Sequence, residues 1–73
     1  MSQIKTTDNI GEWIKQERKR QGLTQKQLSG LLGISERLVG ELERGKPTAE
    51  IGKVLHILNG LGAKITLKSR GEK

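Results

Sequence analysis

The sequence predicts a mainly α domain of four short helices followed by one C-terminal β-strand. Between residues 10 and 62, apolar side chains recur three and four positions apart, the spacing of a helix with one buried face. Gly22, Gly33 and Pro47 interrupt this pattern and divide it into four segments. After Gly62, apolar and polar residues alternate with the period of two that is typical of a strand.

The length of 73 residues fits a single domain. We divide the chain into an N-terminal arm over residues 1–9, a helical domain over 10–62, a strand over 63–69 and a tail over 70–73. Only 32% of the residues are apolar and Trp13 is the sole aromatic residue, so Leu, Ile and Val must form the core. A core of this size adds little net stability, and oligomerisation is one way to add more.

The charge balance indicates a polyanionic partner, because 14 Lys and Arg residues against 8 Asp and Glu residues give a net charge of +6. The sequence contains no apolar run of about 18 residues that would span a bilayer, and no signal-peptide core precedes the first charges. We therefore expect a cytoplasmic protein without a membrane partner. The chain has no cysteine, and its single histidine, His56, has no second ligand at helical spacing, so neither a metal nor another cofactor is expected.

The first helix is expected from Ile10 to Gln21, after a cap at either Asp8 or Asn9, and Gly22 ends it. Its buried stripe should consist of Ile10, Trp13 and Ile14. Arg18 follows one turn after this stripe, on the side of the core, whereas the other charges of KQERKR fit a solvated face.

The second helix begins with a capping box. Thr24 is followed three residues later by Gln27, so that each side chain can bind a backbone N–H group of the first turn. The helix should continue to Leu32 and end at Gly33, where the chain must turn through a positive φ.

The third helix is expected from Glu36 to Arg44, with Ser35 as its cap and Gly45 as its stop. Val39 and Leu42 should face inward. The outward face should consist of Glu36, Arg37, Gly40, Glu41 and Arg44. A glycine inside a helix costs about 1 kcal/mol relative to alanine, which either a close approach to a ligand or tight helix packing would explain at Gly40.

The fourth helix should follow Pro47, with Thr48 as its cap and Glu50 in its first turn. Its buried stripe is expected to consist of Ile51, Val54, Leu55 and Leu58. Ile57 and Leu61 lie beside this stripe and either extend the core or face a second subunit.

The strand over residues 63–69 needs a partner for its backbone N–H and C=O groups. We expect antiparallel pairing with the same strand of a second chain about a two-fold axis, as in most small soluble oligomers. The dimerisation residues would be Leu61, Ala63, Ile65 and Leu67. The alternatives are an unpaired tail and pairing with residues near Ile4.

Two stretches, GLTQKQLSGLLGIS and ELERGKPT, resemble the lambda-repressor-like helix-turn-helix family, also called the XRE family, over about two thirds of the chain. Together with the C-terminal LNGLGAKITLK, the whole arrangement is similar to the HipB-type antitoxins, whose short C-terminal strand dimerises the protein. This resemblance implies a repressor that binds double-stranded DNA, regulates its own operon and binds a HipA-type kinase toxin. The alternative is a free-standing helix-turn-helix regulator without a toxin partner.

The resemblance also implies roles for individual residues. The residues expected to contact DNA are Thr24, Gln25, Lys26, Ser35, Glu36, Arg37, Gly40, Glu41, Arg44 and Lys46. Gln25 should meet a phosphate at the start of the second helix. Arg37 could bind guanine and Glu36 could bind cytosine, although Glu36 could instead stabilise the helix N-terminus. Glu41 could pair mainly with a neighbouring cation.

Two further implications concern the architecture. Arg18 and Glu43 match positions at which the family often has a partly buried ion pair between the first helix and the recognition helix. A strand-paired dimer would place two recognition helices about 34 Å apart, which predicts a palindromic operator.

An enzyme is the least favoured interpretation. The sequence has no Ser/His/Asp set and no Gly-rich phosphate loop between a strand and a helix. His56 falls on the polar edge of the fourth helix, where we expect it to be exposed rather than catalytic.

Overall fold

The computed structural model describes residues 3–71. It contains four helices: α1 Thr7–Arg20, α2 Gln25–Leu32, α3 Glu36–Glu43 and α4 Ile51–Gly60. This confirms the mainly α, four-helix prediction. The core between the helices consists of Ile14, Leu28, Val39, Leu42, Val54, Ile57 and Leu61. No helix in this part of the chain is long and apolar enough to cross a membrane.

Helix α1 begins three residues earlier than predicted, because Thr6 is its cap. The Thr6 hydroxyl accepts a hydrogen bond from the backbone N–H of Asn9 at 3.1 Å, and the Asn9 side chain accepts one from the backbone N–H of Thr6 at 3.2 Å. This is a capping box with asparagine where glutamate or glutamine is usual. Residues 7–9 therefore belong to α1 rather than to an arm, and residues 1–2 of the predicted arm lie outside the described residues.

The turn between α2 and α3 has the predicted form. Thr24 and Gln27 make the expected capping box, and Gly33 adopts a φ of 68° at the end of α2. Ser35 then caps α3 by accepting a hydrogen bond from the backbone N–H of Leu38 at 3.0 Å. Helix α3 ends at Glu43, with Arg44 as its C-terminal cap.

Helix α4 begins at Ile51, and the prediction of a Thr48 cap is wrong. The backbone N–H of Ala49 donates to the carbonyl oxygen of Lys46, which places Thr48 inside a turn that Pro47 favours at its second position. Glu50 occupies the cap position of α4 without a side-chain hydrogen bond to the helix.

The buried face of α4 also differs from the predicted stripe. Val54, Ile57 and Leu61 enter the core, whereas the exposed fractions of Ile51 and Leu55 are 69% and 39%. The predicted stripe is therefore wrong at these last two residues. Leu61, which we expected at a dimer interface, is only 4% exposed and packs inside its own chain.

Residues 63–69 carry exposed apolar side chains but form no strand, and no other strand occurs among residues 3–71. Pairing with the segment near Ile4 is thus absent, and pairing with a second chain stays a prediction. Ile65 is 49% exposed and Leu67 is 90% exposed, while Ala63 is partly buried. Residues 72–73 of the predicted tail lie outside the described residues.

A close crossing of α1 and α3 positions the third helix. A Cβ atom placed on Gly11 would lie 2.6 Å from the carbonyl oxygens of both Leu42 and Glu43, a distance that real Cβ contacts essentially never show. Only glycine allows α1 to approach the end of α3 so closely. Gly11 was not singled out from the sequence, although its position three residues before Ile14, on the buried side of α1, was the available signal.

Candidate nucleic-acid interface

A buried ion pair joins α1 to α3. Arg18 Nε and one terminal nitrogen donate to the two carboxylate oxygens of Glu43, at 2.5 and 3.0 Å. The remaining terminal nitrogen of Arg18 donates to the carbonyl oxygen of Leu23 at 2.8 Å. The pair lies where the sequence analysis expected it, and its two-point geometry fixes the direction of α3 relative to α1.

Gln25 joins this pair to the surface. Its side-chain nitrogen donates to Glu43 Oε1 at 3.0 Å, so Gln25 is held at the start of α2 by the same carboxylate that binds Arg18. Burial raises the pKa of Glu43. The hydrogen bonds from Arg18 and Gln25 outweigh this effect and leave the pKa below its ordinary value. The carboxylate is therefore ionised at neutral pH and keeps Gln25 in place.

Gly40 does not face outward as predicted, because two polar side chains cover it. A Cβ atom at this position would lie 3.2 Å from a terminal nitrogen of Arg44 and 3.8 Å from Gln25 Oε1. Both neighbours are among the residues expected to contact DNA. The glycine thus leaves room for Arg44 to lie across α3 beside Gln25, which differs from both explanations considered for it.

The N-terminal end of α3 is exposed. Ser35, Glu36 and Arg37 are all exposed, and the exposed fraction of the Arg37 side chain is 86%. At the start of α2, Thr24 and Lys26 are exposed as well, although the Thr24 hydroxyl is already bonded to the N–H of Gln27 at 3.0 Å. The N-terminal ends of α2 and α3 thus each present exposed side chains that a ligand can reach.

Glu41 is paired with two cations, in agreement with its expected role as an ion-pair partner. Its Oε2 accepts from Arg37 Nε and its Oε1 accepts from Lys46 Nζ, each at 3.3 Å. The hydrogen bond from Lys46 is the main reason that the pKa of Glu41 lies below its ordinary value, and Arg37 lowers it further. Glu41 is therefore a carboxylate within a surface whose other charged members are mostly cationic.

An open cleft of about 490 Å³ runs beside α3. Its lining consists of Gly33, Ile34, Ser35, Arg37, Leu38, Glu41, Lys46 and Lys53. We call it the cation cleft, because three of these side chains are cations and Glu41 is the only anion among them. Lys53 was not singled out from the sequence, because its position beside α3 depends on how α4 packs in the folded protein.

His56 contributes to packing between helices rather than to this surface. It is exposed, as expected, and its Nε2 donates to the carbonyl oxygen of Leu32 at 2.7 Å, where α2 ends. Among residues 3–71, no group of three histidine, aspartate or glutamate side chains is arranged to hold a metal ion.

Comparisons with known proteins agree with this geometry. Residues 14–67 match the model of the family described as helix-turn-helix. The chain is 46% identical over 70 residues to the HTH-type transcriptional regulator y4mF of Sinorhizobium fredii, covering 96% of this chain and 92% of that protein.

Solved structures share the fold. The chain superposes on HipB in a HipB-O1-O2 complex with a TM-score of 0.84 and 22% identity, over 94% of this chain and all of the other. A chain of a HipA-HipB-O2-O3 complex gives the same TM-score at 21% identity, over 96% of this chain and 99% of the other. The match to the family model covers more than half of the sequence, and the chain therefore belongs to the helix-turn-helix family of DNA-binding transcriptional regulators.

Proposed function

We propose that the chain is a sequence-specific repressor that acts as the antitoxin of a HipA-type kinase toxin and represses its own operon. The observation that supports the toxin partnership is the fold likeness to HipB over nearly the whole chain, at a TM-score of 0.84, including a chain from a complex that also contains HipA. The family itself supports DNA binding.

In this proposal α3 enters the major groove with its N-terminal end foremost. Arg37 donates two hydrogen bonds to guanine O6 and N7, and Glu36 accepts one from cytosine N4. Ser35 lies beside them at the cap of the helix. Their exposure at one end of α3 supports this role.

The phosphates on either side would bind to the residues around this end of α3. These residues are Thr24, Gln25, Lys26, Arg44 and Lys46. Gln25 is already oriented by Glu43, so its position costs little to fix on binding. Gly40 contributes by admitting Arg44 to the same surface.

We also propose that the protein is a homodimer, paired through residues 63–69 of each chain. The support is the exposure of Ile65 and Leu67 on a segment whose apolar and polar residues alternate. Two chains paired antiparallel would satisfy each other's backbone groups and cover these side chains. Leu61 takes no part, because it is buried in its own chain.

The first experiment is a binding titration against DNA from upstream of the protein's own gene, with a scrambled duplex for comparison, at about 0.15 M salt. We expect the native duplex to be preferred by about a thousandfold. Equal binding to both duplexes would refute autoregulation by the protein alone.

A free-standing regulator is the second candidate function. Its support is the name of y4mF, which is 46% identical and is described as a transcriptional regulator. The two candidates share their DNA contacts and differ in the toxin. Copurification of the chain with the product of a kinase-like gene beside its own would support the antitoxin, and DNA selectivity with no such neighbouring gene would support the free-standing regulator.

A further inference from the structure

Glu41, on α3, is the least exposed member of an ion cluster that it forms with Arg37 and Lys46. Its side chain is only 19% exposed, whereas the side chains of Arg37 and Lys46 are 86% and 42% exposed. The carboxylate is thus held against the protein while both cations reach into solvent. If the side chain of Arg37 or Lys46 moves toward DNA, it starts from a contact with Glu41.

The contact with Arg37 leaves the recognition end of its guanidinium available. Arg37 donates to Glu41 through Nε, at 3.3 Å, and neither of its terminal nitrogens has an acceptor within residues 3–71. Two nitrogens of a guanidinium can bind guanine O6 and N7 together. Glu41 therefore restricts the side chain while leaving its terminal nitrogens free to reach a base.

The contact with Lys46, in contrast, occupies the group that would bind DNA. Its Nζ donates to the other oxygen of Glu41, at 3.3 Å, so a DNA phosphate must compete with this carboxylate for the same ammonium group. Exposed ion pairs are weak, and the exchange is therefore possible. It nevertheless reduces what a phosphate contact at Lys46 adds to binding.

We propose that Glu41 is a positioning residue for DNA recognition, which orients Arg37 toward the base edges and competes with phosphates for Lys46. This inference rests on the proposed sequence-specific binding. Phosphate contacts supply nearly all of the affinity for non-specific DNA, whereas base contacts supply discrimination. Glu41 would therefore lower non-specific affinity and raise the preference for the correct sequence.

The test compares wild-type protein with Glu41→Gln, which keeps the shape of the side chain and removes its charge. A duplex selected from a random pool by the wild-type protein and a scrambled duplex are titrated at several salt concentrations. We expect Glu41→Gln to bind the scrambled duplex more tightly, with a slope of log K against log salt that is steeper by about 1. The preference for the selected duplex should fall by about tenfold.

Glu50→Gln is the matched control. It removes the same charge, and Glu50 pairs at 3.3 Å with Lys53, another cation of the cleft, without contacting Arg37 or Lys46. We expect both duplexes to bind more tightly by a similar factor, so that the preference is unchanged. An equal loss of preference in both variants would overturn the inference, because charge alone would then explain it.

A double-mutant cycle separates the two actions of Glu41. In an Arg37→Ala background, Glu41→Gln should no longer reduce the preference but should still steepen the salt dependence. The same loss of preference with and without Arg37 would overturn the positioning role. If the wild-type protein enriches no sequence from the pool, the proposed sequence-specific binding fails; if it does and Glu41→Gln keeps the full preference, only this inference fails.

Discussion

Glu43 is the single residue on which three helices of this protein depend. Its carboxylate accepts hydrogen bonds from Arg18 on α1 and from Gln25 on α2, while the residue itself ends α3. A buried carboxylate with these partners is stabilising only while all of them are present, since a lone buried charge is costly. The residue therefore matters both for folding and for the position of Gln25.

We predict that Glu43→Ala lowers the free energy of unfolding by about 3–5 kcal/mol, because it leaves the Arg18 guanidinium buried without its partner. Urea unfolding followed by circular dichroism measures this change. Glu50→Ala is the control: its pair with Lys53 is exposed, and such pairs contribute little. A melting temperature of Glu43→Ala equal to that of the wild-type protein would contradict the structural role of the ion pair.

The same carboxylate predicts a pH dependence. Burial raises the pKa of Glu43, but the opposite effect of Arg18 and Gln25 is larger, so the pKa in the folded state lies below the ordinary value of 4.5. The folded state thus binds fewer protons than the unfolded chain, and the stabilisation is present above pH 4.5 and is lost as the pH falls through the folded pKa. The unfolding free energy of the wild-type protein should fall more steeply on acidification than that of Glu43→Gln. Parallel profiles between about pH 7 and pH 3 would reject this assignment.

Among the helices, the crossing of α1 and α3 makes a strict steric demand on the sequence. Gly11 sits against two carbonyl oxygens of α3, and any side chain there would separate the helices. The same crossing holds the partners of the buried ion pair at hydrogen-bonding distance. The direction of the recognition helix therefore depends on a residue that has no side chain.

Two helical glycines give a matched test of this crossing. Gly11→Ala should destabilise the protein by about 1–3 kcal/mol, because its Cβ would overlap the carbonyl oxygens of Leu42 and Glu43. Gly30→Ala, on α2, meets nothing within 4 Å and should stabilise the protein by about 0.5–1 kcal/mol through helix propensity. Chemical denaturation of both variants measures the difference. Equal effects at the two positions would show that the close approach is unimportant.

The boundaries of the helices show where sequence reasoning succeeds at this scale. Helix α2 follows the prediction because its start and end depend on neighbours in the chain, Thr24 with Gln27 and then Gly33. The start of α4 was missed because Pro47 places Thr48 in a turn before the helix. The buried face of α4 was missed in part as well, because packing against the other helices buries Ile57 and Leu61 and leaves Ile51 and Leu55 exposed.

For the molecule as a whole, the proposed dimer predicts the layout of its DNA site. Two recognition helices related by a two-fold axis should bind half-sites about 34 Å apart, in successive major grooves. Moving one half-site by about five base pairs would place the halves on opposite faces of the duplex, and affinity should fall to the level of a single half-site. Gel-shift titrations of the two duplexes measure this. Undiminished binding to the shifted duplex would refute the dimer model, and a duplex shifted by a full turn of DNA provides the spacing control.

The sequence by itself determined the number of helices, the turn between α2 and α3, and the likeness to a DNA-binding family. These features depend on residues close together in the chain, such as the caps Thr24 and Ser35 and the turn at Gly33. It also predicted the Arg18 and Glu43 pair, but only through the resemblance to that family.

Only the tertiary structure decided which groups meet across the molecule. The burial of Leu61, the approach at Gly11 and the covering of Gly40 by Arg44 all depend on how the helices are oriented in space. Lys53 reaches the cation cleft for the same reason. Helical periodicity shows which residues share a face, whereas the partner of that face is set by packing among all four helices, which local patterns do not contain.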